Sequence, residues 1–533
     1  MFIIRQLDLR SEGETLNLGR RSTLKLLGAG VGALLLRKSS GAQMPQLTPG
    51  PFVATRDSLS RYTIPGWFAD AKFGIWSHWG PQSAVGDGDW YARNMYMEGS
   101  AQYQYHRQRF GPQSKVGYKD LISLFTADKW DPDALMDLYV NAGAKYFFSM
   151  GVHHDNFDMW NSKYQPRWNA VAAGPKKDIV GLWAAAARKR GLRFGVSDHL
   201  SNSYDWLAPS HRSDTTGQYA GIAYDGADPA YADLYHSYAG EPADFINTAK
   251  AMGRVAPEQW KLEYVRRIKD LIDQHQPDLL YTDGGIPFEE YGLTTVAEEY
   301  NLSASLHHGR VESIYNSKTP SDCAVGTCVL DRERGVLEGI QSQPWQTDTC
   351  IGEWHYKKGI QYKSAKKVID LLVDIVSKNG NLLLNFPLPA SGELDPAERI
   401  VLSGITNWMK LNSEGIYGSR PWKIYGEGPS TLVKPAAGMN EDKQPDLTAQ
   451  DIRFTTKGGH IYAFLQGWPE GDFVIRALGR ASAQNPGRIV SVDMLGSGQP
   501  LHFKQEDSAL TVTAPSVRPA NSTVGVTLRI RLS

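Results

Sequence analysis

Leu279-Leu280-Tyr281-Thr282-Asp283-Gly284-Gly285 is a short apolar strand pattern that runs into an acid and then into two glycines. An amphipathic helical pattern over 257–276 precedes it, opened by Pro257-Glu258 and stopped by Gln276-Pro277. The same succession of helix, apolar strand and polar ending occurs twice upstream. Residues 131–142 lead into a strand over 144–150 that ends in His153, His154 and Asp155. Residues 179–190 lead into a strand over 192–197 that ends in Asp198 and His199. Alternation of this kind predicts parallel βα units. Polar groups at the carboxyl ends of the strands are where a (β/α)8-like TIM barrel assembles an active site. Ile75-Trp76-Ser77-His78 reads as the first strand, and a helix over 364–378 followed by Leu382-Leu383-Leu384 supplies the last units.

Outward from the barrel, three further regions are expected. Residues 1–42 carry Arg20-Arg21, then Ser22-Thr23-Leu24-Lys25, an apolar run over 26–36 and small residues at 40–42. This is the pattern of a twin-arginine export signal, and its apolar run is too short to span a bilayer. Its removal leaves a mature protein with no membrane span, and a bacterial periplasm is the expected compartment. Residues 43–61 contain Pro and Thr and are expected to be irregular, with the barrel over 62–416. Residues 417–533 hold short alternating segments at 451–455, 460–465, 472–477, 489–494 and 524–532, separated by Gly, Pro and Asn, and predict a C-terminal β-sandwich. Between 202 and 253 the βα pattern lapses into Tyr, Ala, Gly, Asp and Pro, and a long excursion after a strand end is expected to be an active-site loop.

The 57 basic and 57 acidic residues cancel, so the chain carries no electrostatic footprint for nucleic acid or an anionic membrane surface. Fifteen Trp and 25 Tyr provide flat faces suited to sugar rings, although most fill cores in any protein of this size. Three cysteines permit at most one disulfide, and their spacing is a poor zinc signal.

At the end of a buried strand, Asp283 can be a nucleophile, a general base or a metal ligand. A nucleophile toward an acetal carbon requires a second carboxyl group about 5 to 5.5 Å away, protonated to assist the leaving group. Glu333, Glu338 and Glu353 are the candidates. Adjacent histidines such as His153 and His154 can bind metal, but neutral imidazole also suits sugar hydroxyls, and we favour the latter. His78 would close the same ring, and Trp90 and Tyr91 would form a wall.

Longer motifs add specificity. Trp67-Phe68, Ala71-Lys72-Phe73-Gly74-Ile75-Trp76-Ser77-His78-Trp79-Gly80, Ala142-Gly143-Ala144-Lys145-Tyr146, His153-His154-Asp155-Asn156-Phe157, Trp160-Asn161-Ser162-Lys163-Tyr164, Asp178-Ile179-Val180-Gly181 and Pro277-Asp278-Leu279-Leu280-Tyr281-Thr282-Asp283-Gly284 closely resemble, in this order, the α-L-fucosidases of glycoside hydrolase family 29. The resemblance covers residues 62–385. It implies a retaining exo-glycosidase that removes a terminal α-L-fucosyl residue from a fucosylated glycan through a covalent intermediate, with no metal and no organic cofactor. It implies Asp283 as nucleophile, His78, His153 and His154 as sugar-binding residues, Trp90-Tyr91 beside the pocket and Trp354 against the sugar's methyl group. Glu333 resembles the family's usual acid/base placement, ahead of Glu338 and Glu353. Arg332 and Arg334 flank it, and adjacent positive charge lowers a carboxyl pKa where a general acid needs it raised, so both guanidinium groups are expected to point elsewhere.

The chain departs from the common pattern at Ser197-Asp198-His199, where His199 is expected as an extra pocket residue, in the 202–253 excursion, and at Phe386-Pro387-Leu388-Pro389. Two other readings stand beside the first. An α-L-galactosidase would keep the same residues, but an apolar wall such as Trp354 disfavours it, because a buried unpartnered hydroxyl costs about 1 to 3 kcal/mol. A non-catalytic glycan-binding protein would not need an intact Asp283.

Overall fold

Asp131, Asp178 and Ser364 each accept a hydrogen bond from a backbone N–H of the turn that follows, that of Ala134, Gly181 and Lys367 respectively. These caps satisfy N–H groups that a helix leaves without partners, and so they fix where the helices begin. They open α1 (Pro132–Asn141), α2 (Ile179–Lys189) and α5 (Ala365–Ser377). Gln276, left-handed at φ 46°, closes α3 (Glu258–His275) one residue before Pro277. Two helices are not among those expected from the sequence, α4 (Glu290–Leu306), which is buried on nearly all sides, and α6 (Pro396–Asn412), although Asp395, Pro396 and Glu398 open it with a capping box. The structure is a computed structural model that describes residues 43–249, 255–497, 500–519 and 522–533. The expected export signal over 1–42 lies outside the described residues.

Eight parallel strands run β1 (Phe73–Ser77), β2 (Tyr146–Val152), β3 (Arg193–Asp198), β4 (Leu279–Thr282), β5 (Ile314–Ser317), β6 (Val329–Leu330), β7 (Trp345–Cys350) and β8 (Gly380–Asn385). Their order is β6-β5-β4-β3-β2-β1-β8-β7. A single bridge between Asp331 and Gln346 joins β6 to β7 and closes the ring, which makes this the barrel that the sequence predicts. Its interior is packed with Trp76, Tyr146, Phe148 and Tyr281. A Cβ at Gly74 would stand 2.2 Å from the Tyr146 ring, so the large rings fit only because a neighbouring strand gives way to glycine.

The segment over 43–61 is irregular except for a one-turn helix at Arg56–Leu59, and it is firmly docked. Glu298 of α4 accepts from the Thr48 amide and hydroxyl, both at 2.7 Å, and Asn301 bridges the amide and carbonyl of Phe52. Beyond α6 the chain forms β9 (Arg420–Glu427), β10 (Ile452–Lys457), β11 (His460–Leu465), β12 (Phe473–Ile475), β13 (Ile489–Met494), β14 (Phe503–Gln505), β15 (Leu510–Val512) and β16 (Val526–Leu532). They make a five-stranded sheet, β13-β16-β11-β10-β9, and a three-stranded sheet, β12-β15-β14, both antiparallel. Phe454, Phe473, Val492, Leu510 and Leu528 form a core of their own. Tyr462 and Phe464 instead join the barrel's core, and Trp408 of α6 donates to the Gly525 carbonyl at 3.0 Å. Barrel and sandwich share packing, and residues 44–533 fold as one unit.

Candidate active site

The carboxyl ends of the barrel strands converge on Asp283. It follows β4 directly, is nearly buried, and is succeeded by Gly284 at φ 98°, a conformation that L side chains rarely adopt. Asp283 Oδ2 lies 3.4 Å from His154 Nε2 and 3.4 Å from His199 Nδ1. Asp283 Oδ1 accepts from Lys318 Nζ at 2.8 Å. Burial alone would raise the Asp283 pKa, but the Lys318 ammonium and the contacts from His154 and His199 outweigh it and hold the carboxyl well below its usual range.

The imidazoles form a single cluster. His78, after β1, has ring centroids 5.0 Å from His153, 5.2 Å from His199 and 4.5 Å from His355. Gln82 donates to His153 Nδ1 at 2.6 Å, and His154 Nδ1 donates to the His199 carbonyl at 2.7 Å. Burial, followed by the neighbouring rings, pushes His78 and His153 well below the usual histidine pKa, and burial pushes His199 down to about 4 despite Asp283. His78 Nδ1, His199 Nε2 and His355 Nε2 are buried with no hydrogen-bond partner among the described residues. Orphaned buried nitrogens of this kind are costly unless a ligand supplies their hydrogen bonds.

Trp354 lies 5.4 Å from both His78 and Trp76, and Trp90, left-handed at φ 62°, lies 6.3 Å from His154. Tyr91 is not brought into this cluster, which corrects the expectation of a pocket wall. Its ring packs beside Tyr105, and its hydroxyl meets His106 Nδ1 at 3.0 Å. Asp155 and Asp198 are likewise engaged elsewhere, accepting from the Tyr118 and Tyr264 hydroxyls at 2.5 and 2.8 Å.

The second carboxylate is Glu333. Backbone bonds from Arg332 N to the Gln346 carbonyl and from Arg334 N to the Asp348 carbonyl, both 2.8 Å, hold it alongside β7. Glu333 and Arg334 form a turn, Arg334 left-handed at φ 43°, and the three side chains leave it in different directions. Glu333 turns inward to contact Lys318 Nζ. Arg332 turns to the Gly438 carbonyl at 2.8 Å, and Arg334 turns to Glu441 at 2.9 Å. Burial raises the Glu333 pKa, with Asp348 and Asp283 adding to the rise and Lys318 opposing it. Glu338 pairs instead with Lys434 at 3.3 Å and is exposed, and Glu353 shares no bond with Asp283 or Lys318. Because Asp283 and Glu333 touch one ammonium nitrogen, the two contacting oxygens lie no farther apart than the sum of those contacts, which is short of the roughly 6.5 to 9.5 Å of an inverting pair.

Four residues here escaped the sequence reading. Lys318 follows β5, a strand with no apolar run. His355 is held by Asp89, whose Oδ1 lies 2.5 Å from its Nδ1 and marks that nitrogen as the protonated one. Trp206, from the excursion after β3, lies 5.5 Å from His154 and 6.1 Å from His153 and Trp90. Gln82 was hidden in the segment after β1.

One ligand atom each from His78, Asp89, His153 and His355 lies within 4.8 Å of the others, as do those of His153, His154 and His199. Bonds to Gln82, Asp89 and the His199 carbonyl already direct these rings, which suits a set of hydroxyl partners. Within the 202–253 excursion, Asp214 accepts from Tyr103 and Tyr224, each at 2.7 Å, and Asp225 accepts from Tyr96 and Tyr235, each at 2.6 Å. Neutral imidazoles and aromatic faces beside two carboxyl groups with opposed pKa shifts, at the carboxyl end of a parallel barrel, define a glycoside hydrolase.

A profile described as alpha-L-fucosidase matches residues 41–414, and one for the alpha-L-fucosidase C-terminal domain matches residues 444–531. The chain belongs to the α-L-fucosidase family. It is similar to the tissue alpha-L-fucosidase of Rattus norvegicus, 26% identical over 95% of this chain and 97% of that one. It is also similar to the tissue enzyme of Homo sapiens, 26% identical over 87% and 88%. The crystal structure of Thermotoga maritima alpha-fucosidase in complex with fucose superposes with a TM-score of 0.68, at 26% identity, over 90% of this chain and 99% of that one.

Proposed function

We propose that this enzyme is a retaining, exo-acting α-L-fucosidase in which Asp283 attacks the anomeric carbon and Glu333 protonates the departing oxygen. The observation that carries this reading is the carboxyl pair around Lys318, with Asp283 ionised and Glu333 raised. Asp283 then forms the fucosyl-enzyme, and Glu333 takes a proton from water to release fucose. His78, His153, His154, His199 and His355 bind the sugar's hydroxyls, while Trp354, Trp90 and Trp206 close around its ring and methyl group. The substrate is a terminal α-L-fucosyl residue of a glycan. The enzyme is exported by the twin-arginine route to the periplasm, a reading supported by Arg20-Arg21 and by the Cys323–Cys328 disulfide, a bond at home in oxidising compartments.

Hydrolysis of an aryl α-L-fucoside by the leaderless protein and by Asp283→Gly, with and without azide, tests the assignment. A loss of about 10^4-fold or more in the variant, with a β-fucosyl azide product, is expected. Retained hydrolysis in Asp283→Gly would remove the aspartate from its role.

A further inference from the structure

Lys318 stands where two acids need one counter-charge. Its Nζ is 2.8 Å from Asp283 Oδ1, closer still to Glu333 Oε2, 3.8 Å from Asp348 Oδ2 and 5.4 Å from the centre of the Tyr281 ring. Asp331 stands behind Asp348, and its carboxyl pKa is raised well above normal by burial and by that neighbour. On the far side, His154 and His199 face the other oxygen of Asp283. Since Arg332 and Arg334 turn to Gly438 and Glu441, Lys318 is the one lysine or arginine, among the described residues, that ion-pairs with either acid.

This placement bears on a difficulty of the double displacement. Resting on the proposed roles of the two carboxyl groups, the first half-reaction forms the bond from Asp283 oxygen to C1 and breaks the bond from C1 to the leaving oxygen. The Glu333 proton moves to that oxygen. Asp283 is then an uncharged ester and Glu333 a carboxylate, so the negative charge has crossed the pocket. In the second half, water bonds to C1, its proton passes to Glu333, and the C1–Asp283 bond breaks to restore the Asp283 carboxylate.

We propose that Lys318 is a positioning residue shared by both half-reactions, pairing with ionised Asp283 in the resting enzyme and with ionised Glu333 in the fucosyl-enzyme. Because Nζ already contacts both oxygens, the ammonium serves the two states without leaving its place. The total charge beside it stays constant through the cycle. A low-dielectric site penalises an uncompensated carboxylate, and here neither acid is ever left without its cation.

The test compares the wild type with Lys318→Met and Lys318→Arg on an aryl α-L-fucoside bearing an activated leaving group. In Lys318→Met the second half-reaction loses the cation beside its base. One equivalent of phenol should appear in a burst, followed by a steady state about 100-fold slower than wild type. Azide, which needs no base, should accelerate that steady state. The acidic limb of kcat/KM should move to higher pH as Asp283 loses its cation, while Lys318→Arg should keep the wild-type limbs. If Lys318→Met is insoluble, Lys318→Gln carries the same test. A methionine or glutamine variant with no burst, no response to azide and unmoved pH limbs overturns the proposal. Labelling with a 2-deoxy-2-fluoro-fucosyl fluoride separates the two levels of argument. A wild-type label on Asp283 leaves the roles of the carboxyl pair standing whatever Lys318 does, and a label on another residue overturns both.

Discussion

The ends of β1 to β3 furnish His78, His153, His154 and His199, most of them held neutral by burial, whereas the ends of β4 to β6 furnish Asp283, Lys318 and Glu333, with Asp348 inside β7 behind them. One side of the pocket offers directed hydrogen bonds, and the other concentrates charge of both signs around a single nitrogen. The division separates recognition from bond cleavage. His78, His153 and His355 can match hydroxyls from outside the carboxyl pair, whereas His154 and His199 also face Asp283 and, with Lys318, hold its pKa down against burial.

If that division is real, variants on the two sides should fail in different ways. The largest effect after Asp283 belongs to Glu333→Gln. Turnover of substrates with poor leaving groups should fall about 10^2- to 10^4-fold, with activated aryl fucosides losing less in the first half-reaction. In the wild type, activity needs Asp283 ionised and Glu333 protonated. The acidic limb should therefore lie well below the ordinary aspartate range, and the alkaline limb, above the ordinary glutamate value, should disappear in Glu333→Gln. An unchanged alkaline limb in that variant would hand the role to another acid.

On the recognition side, His355→Phe removes a hydrogen-bonding nitrogen while keeping a ring. A loss of about 1 to 3 kcal/mol of binding should appear in kcat/KM, roughly 5- to 150-fold, with both pH limbs in place. A shift of either limb would mean that His355 tunes the acids as His154 and His199 do, and that the two sides are one. Smallest of all should be Arg334→Ala, next in sequence to Glu333 yet turned to Glu441. A change of no more than about twofold in kcat/KM is expected, typical of a charge outside the site, and a displaced alkaline limb would show that the guanidinium reaches Glu333 after all.

The same division decided what could be read without coordinates. The histidine side was legible because each group follows a strand with an apolar run, such as the one ending in Phe147-Phe148 before His153. The charged side was legible only at Asp283 and, through resemblance, at Glu333. β5 reads Ile-Tyr-Asn-Ser, β6 has two residues, and β7 reads Trp-Gln-Thr-Asp-Thr-Cys, with Gln346 and Asp348 buried inside the barrel. Strands whose interior faces are polar leave no hydrophobic pattern, so Lys318 had no strand to mark it. Helix α4 is buried on nearly all sides and lacks the amphipathic stripe that identified α2 and α3. His355 and Trp206 sit outside regular strands and were visible only once the chain had folded. Tyr91 failed for the opposite reason. Adjacency to Trp90 suggested a shared wall, but the left-handed turn at Trp90 sends the two rings apart.

Glu333 stands between two arginines, and the bonds from Arg332 and Arg334 to β7 decide which of the three faces inward. Acid and guanidinium are thus one step of register apart. The turn at Glu333 and Arg334 presents a single place to Lys318. Deleting or inserting one residue between Asp331 and Glu333, with the two bonds to β7 kept, would hand that place to an arginine. The pocket would then carry a second cation where its acid had stood.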